Sequence, residues 1–134
     1  MSQENVEIVR PIYDDAAEGR FGRHMHLFDP DVEYARKRQA ADLLSGEWHG
    51  LQAMSDVLRE WMETVDELQV EAERYIDAGD SVVVLTRSRA INKASGIPLD
   101  ERFADVITLR DGRIVRWHSY RHPSEALEAV GVRE

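Results

Sequence analysis

The chain has 134 residues, no cysteine, and 17 Lys+Arg against 26 Asp+Glu, for a formal net charge of −9. That length suits one ordinary domain, residues 1–134, able to bury a core without cross-links, and the missing cysteines exclude disulfides and thiolate metal sites. The acidic balance argues against nucleic acid, no apolar run has the roughly 18–20 residues of a membrane span, and Met1-Ser2-Gln3-Glu4-Asn5 lacks the basic and apolar regions of a signal peptide, so the cytoplasm is the expected compartment.

Val6, Val9, Tyr13, Ala16 and Ala17 recur at helical spacing and predict an amphipathic helix over about Gln3–Glu18, ending near Gly19 and Gly22. Pro11 falls on its solvent-facing side, where the lost backbone hydrogen bond bends the helix without breaking it. Phe21–Phe28 reads as a short second helix closed by Asp29-Pro30-Asp31, because a proline biases the preceding residue away from helix. Val32–Arg36 reads as a short strand. The basic run Arg36-Lys37-Arg38 reads as a solvated edge or loop and leads through a mixed segment to a Glu47-Trp48-His49-Gly50 loop. Leu51, Met54, Leu58, Trp61 and Val65 predict a third helix over about Leu51–Val65, whose apolar face must lie on something large.

From Leu68 the pattern turns extended. Strands are expected at Leu68–Asp77, Ser81–Asn92, Pro98–Arg110 and Arg113–Arg121, separated by turns at Ala78-Gly79-Asp80, Ala94-Ser95-Gly96 and Asp111-Gly112. They make an antiparallel meander, followed by a short closing helix at Glu125–Val130. The order of elements is a segregated α+β arrangement, with helices covering one face of a curved sheet. The charge is uneven: Asp80–Arg121 carries eight Lys/Arg against five Asp/Glu, a balance of +3, which leaves −12 for the rest.

Alternation on the Pro98–Arg110 strand puts Phe103, Asp105, Ile107 and Leu109 on one face, a mostly apolar row with one carboxylate. Burying a carboxylate is costly unless it is paired, hydrogen-bonded or neutralised, so Asp105 needs a cationic or donor partner or a raised pKa.

In order and spacing the chain resembles the nuclear transport factor 2-like cones, and within them the SnoaL-like polyketide cyclases and their ketosteroid isomerase relatives. The carriers are Glu4-Asn5-Val6-Glu7-Ile8-Val9-Arg10 with Tyr13, Phe28-Asp29-Pro30-Asp31-Val32-Glu33, Trp48-His49-Gly50, Ala78-Gly79-Asp80, and the run from Arg102 to Val115. The resemblance implies a cone-shaped, curved antiparallel sheet covered by N-terminal helices, a cystatin-like α+β roll. It also implies a homodimer through the outer sheet face. In isomerase-like members a helix tyrosine and a protonated aspartic acid on a late strand donate to a developing enolate oxygen; Tyr13 and Asp105 resemble those positions. The isomerase base would follow the Val-Glu pair, where this chain has Tyr34.

Aligned with the family, the strand phases point Leu85, Arg87 and Arg89 inward, with Arg87 as the expected partner of Asp105, and likewise Val115, Trp117, Ser119 and Arg121. Two readings remain. In one, Asp105 moves a proton beside a carbonyl, Tyr13 stabilises the enolate oxygen, Arg87 or Arg121 holds an acidic group, and Trp61 and Trp117 form apolar walls. Tyr34 and the Trp48 loop complete the candidate substrate contacts. In the other, Asp105 and Arg87 are a structural ion pair.

No metal site is expected, because His24 and His26 are two residues apart on a helix and His118 points outward with Ile114, Arg116 and Tyr120. The expected function is a small-molecule pocket of the SnoaL-like type. It would perform cofactor-independent cyclisation, isomerisation or dehydration on a carbonyl-bearing, partly apolar substrate. The alternative is a non-catalytic ligand-binding or dimerisation module of the same fold.

Overall fold

A computed structural model describes residues 2–37 and 46–131, with Ser2 by its backbone alone. Arg38 of the basic run and the rest of the segment up to 45 lie outside the described residues. The elements are α1 (Ser2–Ala17), a 3₁₀ turn (Met25–Leu27), β1 (Phe28–Lys37), β2 (Gly46–His49), α2 (Leu51–Met62), β3 (Val65–Ala78), β4 (Ser81–Asn92), β5 (Pro98–Arg110), β6 (Arg113–Tyr120) and α3 (Pro123–Ala129). The six strands form one curved, unclosed sheet in the order β2-β1-β6-β5-β4-β3. The meander β3–β6 is antiparallel as expected, and β1 joins it parallel to β6. Among the described residues no helix is long and apolar enough to cross a membrane.

The periodic stripes bury as their spacing dictates. Val6, Val9, Tyr13 and Ala16 of α1 and Met54 and Val57 of α2 are buried, while Pro11 sits on the exposed side of an uninterrupted α1. These helices cover the inner sheet face, where Val82, Val84, Ile107, Leu109 and Ile114 complete the main core. On the other face α3 packs Ala126 and Leu127 against Val83, Ala104 and Val106 in a second, smaller core. The β5–β6 hairpin turns at Asp111 (φ 52°) and Gly112 (φ 77°), two consecutive left-handed residues that the Asp-Gly pair tolerates.

Several boundaries differ from the sequence reading, the last strand and closing helix by one or two residues at an end and others by more. The Phe21–Phe28 helix is reduced to the 3₁₀ turn: Gly22 has φ 83°, and buried Phe28 is paired with Ile114, so it opens β1. Asp29-Pro30-Asp31 lies in β1, within the irregularity between Phe28 and Glu33. Helix α2 stops at Met62, and Val65 starts β3, whose register shifts beside Glu67 (φ 54°). Residues Gly46–His49, read as a loop, form an edge strand because they pair with β1, Trp48 opposite Tyr34.

Candidate active site

Register decides which side chains meet. Val84, Asp105, Ser119 and Arg36 are successive partners across β4, β5, β6 and β1, so they form one row on the inner face. Ile107, Trp117 and Tyr34 form the next row. Helix α1 lays Tyr13 over the first row, and its hydroxyl donates to Asp105 Oδ2 at 2.5 Å, both residues being buried. So short a contact is typical of a phenol donating to a carboxylate. Burial, the nearby Asp105 charge and the hydrogen bond to it push the Tyr13 phenol well above its ordinary value. Tyr13 therefore keeps its proton.

The required donor for Asp105 thus comes from α1, and Arg87 is not its partner. Because Val84 is opposite Asp105, the β4 residues on the inner face are Val82, Val84, Thr86 and Ser88. Leu85, Arg87 and Arg89 belong to the other face, where Arg87 donates two hydrogen bonds to Asp100 at 2.9 and 2.6 Å. That bond holds the Asp100 carboxyl below its usual range and raises Arg87. Arg121 also leaves the expected site: β6 ends at Tyr120 and Arg121 is exposed beyond it. Val115 sits at the register shift between β5 and β6, which turns Ile114 into the core in its place.

Tyr13 and Asp105 line a cavity of about 650 Å³ bounded by α1, α2, the segment joining α1 to β1, and the inner sheet face. Trp61, Trp117 and Tyr34 line it too. Trp117 is stacked between Tyr13 (5.9 Å between centroids) and Phe28 (5.8 Å), while Tyr75 meets Tyr13 edge-on. Trp48 is set behind Tyr34, 5.7 Å between centroids, and supports that wall without lining the cavity.

The residue missed in the sequence is Arg36. Read as part of a solvated basic run, it is only 5% exposed and lines the cavity, its guanidinium 5.4 Å from the Trp61 ring and donating to Tyr34 Oη at 3.1 Å. Continuing the alternation of buried Val32 and Tyr34 one step would have placed it inside.

The histidines stay apart from Asp105. His24 Nε2 lies 2.7 Å from Asp15 Oδ2, and half-buried His118 is on the outer face, its pKa lowered by burial and by Lys37 and Arg116. Among the described residues no three His, Asp or Glu side chains converge to hold a metal ion.

Fold and cavity together define a nuclear transport factor 2-like α+β protein with a buried Tyr–Asp pair facing an internal space. The SnoaL-like domain model matches residues 9–117, and the chain belongs to that family. Solved structures agree on the fold. A protein assigned to the SnoaL-like polyketide cyclases from Jannaschia sp. CCS1 superposes with TM-score 0.76 at 18% identity, covering 99% of this chain and 95% of its own. TerC, co-crystallised with polyporic acid, gives 0.74 at 20% identity over 95% and 98%. A ketosteroid isomerase-like protein from Catenulispora acidiphila, in complex with trimethylamine, gives 0.70 at 18% over 95% and 94%. A comparison with curated proteins returned no match.

Tyr13→Phe removes the donor from a buried carboxylate and is expected to cost about 1–3 kcal/mol in urea unfolding at pH 7. In an alkaline absorbance titration of the native protein, Tyr13 should be absent from the wave near pH 10, and Tyr75, raised by burial to about 12, should ionise late. Both phenols are raised on folding, so their contribution is fully present below pH ~10 and is lost as pH rises through the folded values. Absence of Tyr13 and Tyr75 from the native wave, with both recovered on unfolding, is the expected result.

Proposed function

We propose that the chain binds a small, partly apolar, carbonyl-bearing molecule and performs cofactor-independent acid–base chemistry on it, with Asp105 moving the proton. The observation that carries this reading is the Tyr13–Asp105 hydrogen bond on the wall of an aromatic cavity. Ligand sites are commonly apolar hollows of roughly 300–1,000 Å³ with a few placed polar groups. Small molecules bound to the TerC and Catenulispora proteins support a ligand-binding role for the shared fold.

The geometry suits proton transfer beside a carbonyl. Asp105 takes a proton from the adjacent carbon, and the C–H electron pair moves toward the carbonyl oxygen. The negative charge then resides on the enolate oxygen, and the Tyr13 hydroxyl, no longer facing a carboxylate anion, can donate to it. Returning the proton to another carbon isomerises the substrate; attack by the enolate carbon on a second carbonyl of the same molecule, whose oxygen takes the electron pair and then the proton from Asp105, cyclises it; expulsion of a hydroxyl β to the carbonyl, protonated by Asp105 so that it leaves as water, dehydrates it. Binding without turnover is the second reading, favoured by the 3% exposure of Asp105, which only a ligand seated deep in the cavity can reach.

The outer face of β6, with Arg116, His118 and Tyr120, is proposed as the contact between two copies. Lys37 beside the Tyr120 ring, 6.0 Å away, and half-buried His118 make it a mixed aromatic and charged surface. Sedimentation equilibrium should give the dimer mass at micromolar concentration; monomer alone would contradict this pairing.

Turnover is tested in D₂O by proton NMR with a panel of enolisable aryl ketones. The parent protein should accelerate loss of the α-proton signal, and Asp105→Asn should lower that rate by about 10²–10⁴-fold. Exchange unchanged by the substitution would sink the role of Asp105, whereas ligand-induced shifts without exchange would favour binding alone.

A further inference from the structure

We infer that Ser88 is a specificity-determining residue of the cavity: its hydroxyl hydrogen-bonds a second, neutral oxygen of the substrate, at the end of the molecule remote from the carbon that meets Asp105. The inference rests on the cavity being a ligand site, as proposed above. It adds to that reading a length and an oxygen at each end.

Buried hydroxyls are paired as a rule, because taking them out of water costs free energy unless a partner replaces it. Tyr13 donates to Asp105 at 2.5 Å, Thr86 donates to the Val84 carbonyl oxygen at 3.1 Å, and Ser81 shares a hydrogen bond of 2.8 Å with Thr108. Ser88 departs from the rule. The residue is 6% exposed, and among the described residues no group pairs with its hydroxyl. Ser88 lines the cavity, so the hydroxyl is available to a molecule bound there.

Strand alternation puts it in that place. Val82, Val84, Thr86 and Ser88 share the inner face of β4, and Ser88 is paired with Val70 of β3, which also lines the cavity. At the preceding inner position Thr86 is opposite Phe103, another lining residue. The hydroxyl thus projects from a wall with large apolar side chains. A single polar group in such a wall fixes orientation, because a ligand that leaves it unpaired forfeits the hydrogen bond. A serine hydroxyl carries no charge, which suits a carbonyl or hydroxyl oxygen; a charged oxygen buried there would need a charged partner.

The register gives the spacing. Asp105 is opposite Val84, and Ser88 lies four residues farther along β4, so the backbones of Asp105 and Ser88 are roughly 14 Å apart. Both residues line the one cavity of about 650 Å³, so a single molecule can touch both. Their side chains leave the sheet on the same side, and a ligand in contact with both must bridge most of that distance. One aromatic ring is too short, whereas two linked rings with a substituent at each end suffice. Recognition and proton transfer then fall on opposite ends of the molecule.

The test compares 4-acetylbiphenyl with 4-acetyl-4′-hydroxybiphenyl by calorimetry on the parent chain and Ser88→Ala, at pH 7, where the phenol keeps its proton. The parent should bind the hydroxylated ketone at least about threefold more tightly. Ser88→Ala should bring the two affinities within about twofold of each other and leave that of 4-acetylbiphenyl within about twofold of the parent value. It should also leave the urea midpoint where it is, since no protein partner is lost. A lower midpoint or failure to fold would mean that the hydroxyl serves the protein itself, and overturns the inference. So does a parent ratio near one, or a preference that survives Ser88→Ala; binding of 4-acetylbiphenyl in those cases leaves the cavity reading standing. Failure of both ketones to bind overturns both.

Discussion

A carboxylate placed in the middle of an apolar strand face has to be answered from across the core, and the rest of this structure is arranged around that demand. Asp105 lies between Phe103 and Ile107 on β5, buried with them, and the answering donor is the Tyr13 hydroxyl on the helix that covers the sheet. The bond therefore does two things at once. It makes the buried acid tolerable, and it fixes α1 in rotation and register over β4 and β5, so that Val6 and Val9 join Val82 and Val84 in the main core. Apolar groups of the same shape in place of both Asp105 and Tyr13 would hold the same layers together at little loss of stability, since replacing both partners of a buried hydrogen bond is often nearly neutral. An acid at that point is what the proposed proton transfer requires.

The two faces of the sheet divide the remaining work. The inner face keeps a cavity from collapsing with rigid aromatic groups: Trp117 is held between Tyr13 and Phe28, and Trp61 lies against Arg36. The outer face carries α3 over β4–β6 and, toward the far ends of β3–β5, ion pairs such as Arg87–Asp100, Arg102–Glu73 and Arg89–Glu71. The positive balance of the sheet segment is thus spent mostly outside. The arginine inside comes instead from β1, in a part of the chain that is acidic as a whole.

Elements with a single buried face were readable in the sequence, because period and burial coincide there. The α1 stripe, the Asp-Gly hairpin and the inward phase of Asp105 are of this kind. Strand β4 was not, and the reason is physical. Its Val82-Val83-Val84-Leu85 run is apolar on both faces, since α1 covers one and α3 the other, so alternation cannot choose between them. Thr86 and Ser88, small polar residues in the inner row, were the available signal against an inward Arg87. Bulges hid the rest. The shift beside Val115 exchanges its place with Ile114, and the irregular start of β1 made Asp29-Pro30-Asp31 read as the end of a helix. Arg36 was obscured by its neighbours, because three basic residues in a row suggest a solvated surface even when strand alternation sends one of them inward. The four residues of β2 have too little pattern of their own, and only the pairing with β1 reveals them as a strand.

The central claim is that Asp105 is a reacting group of a ligand site and not merely a structural acid bonded to Tyr13. The most direct measurement is a crystal structure with an enolisable aryl ketone bound. Expected is a ligand in the cavity with the carbon beside its carbonyl about 3–3.5 Å from an Asp105 oxygen. A cavity closed by the protein's own side chains, or a ligand seated with no reactive carbon near Asp105, would contradict it.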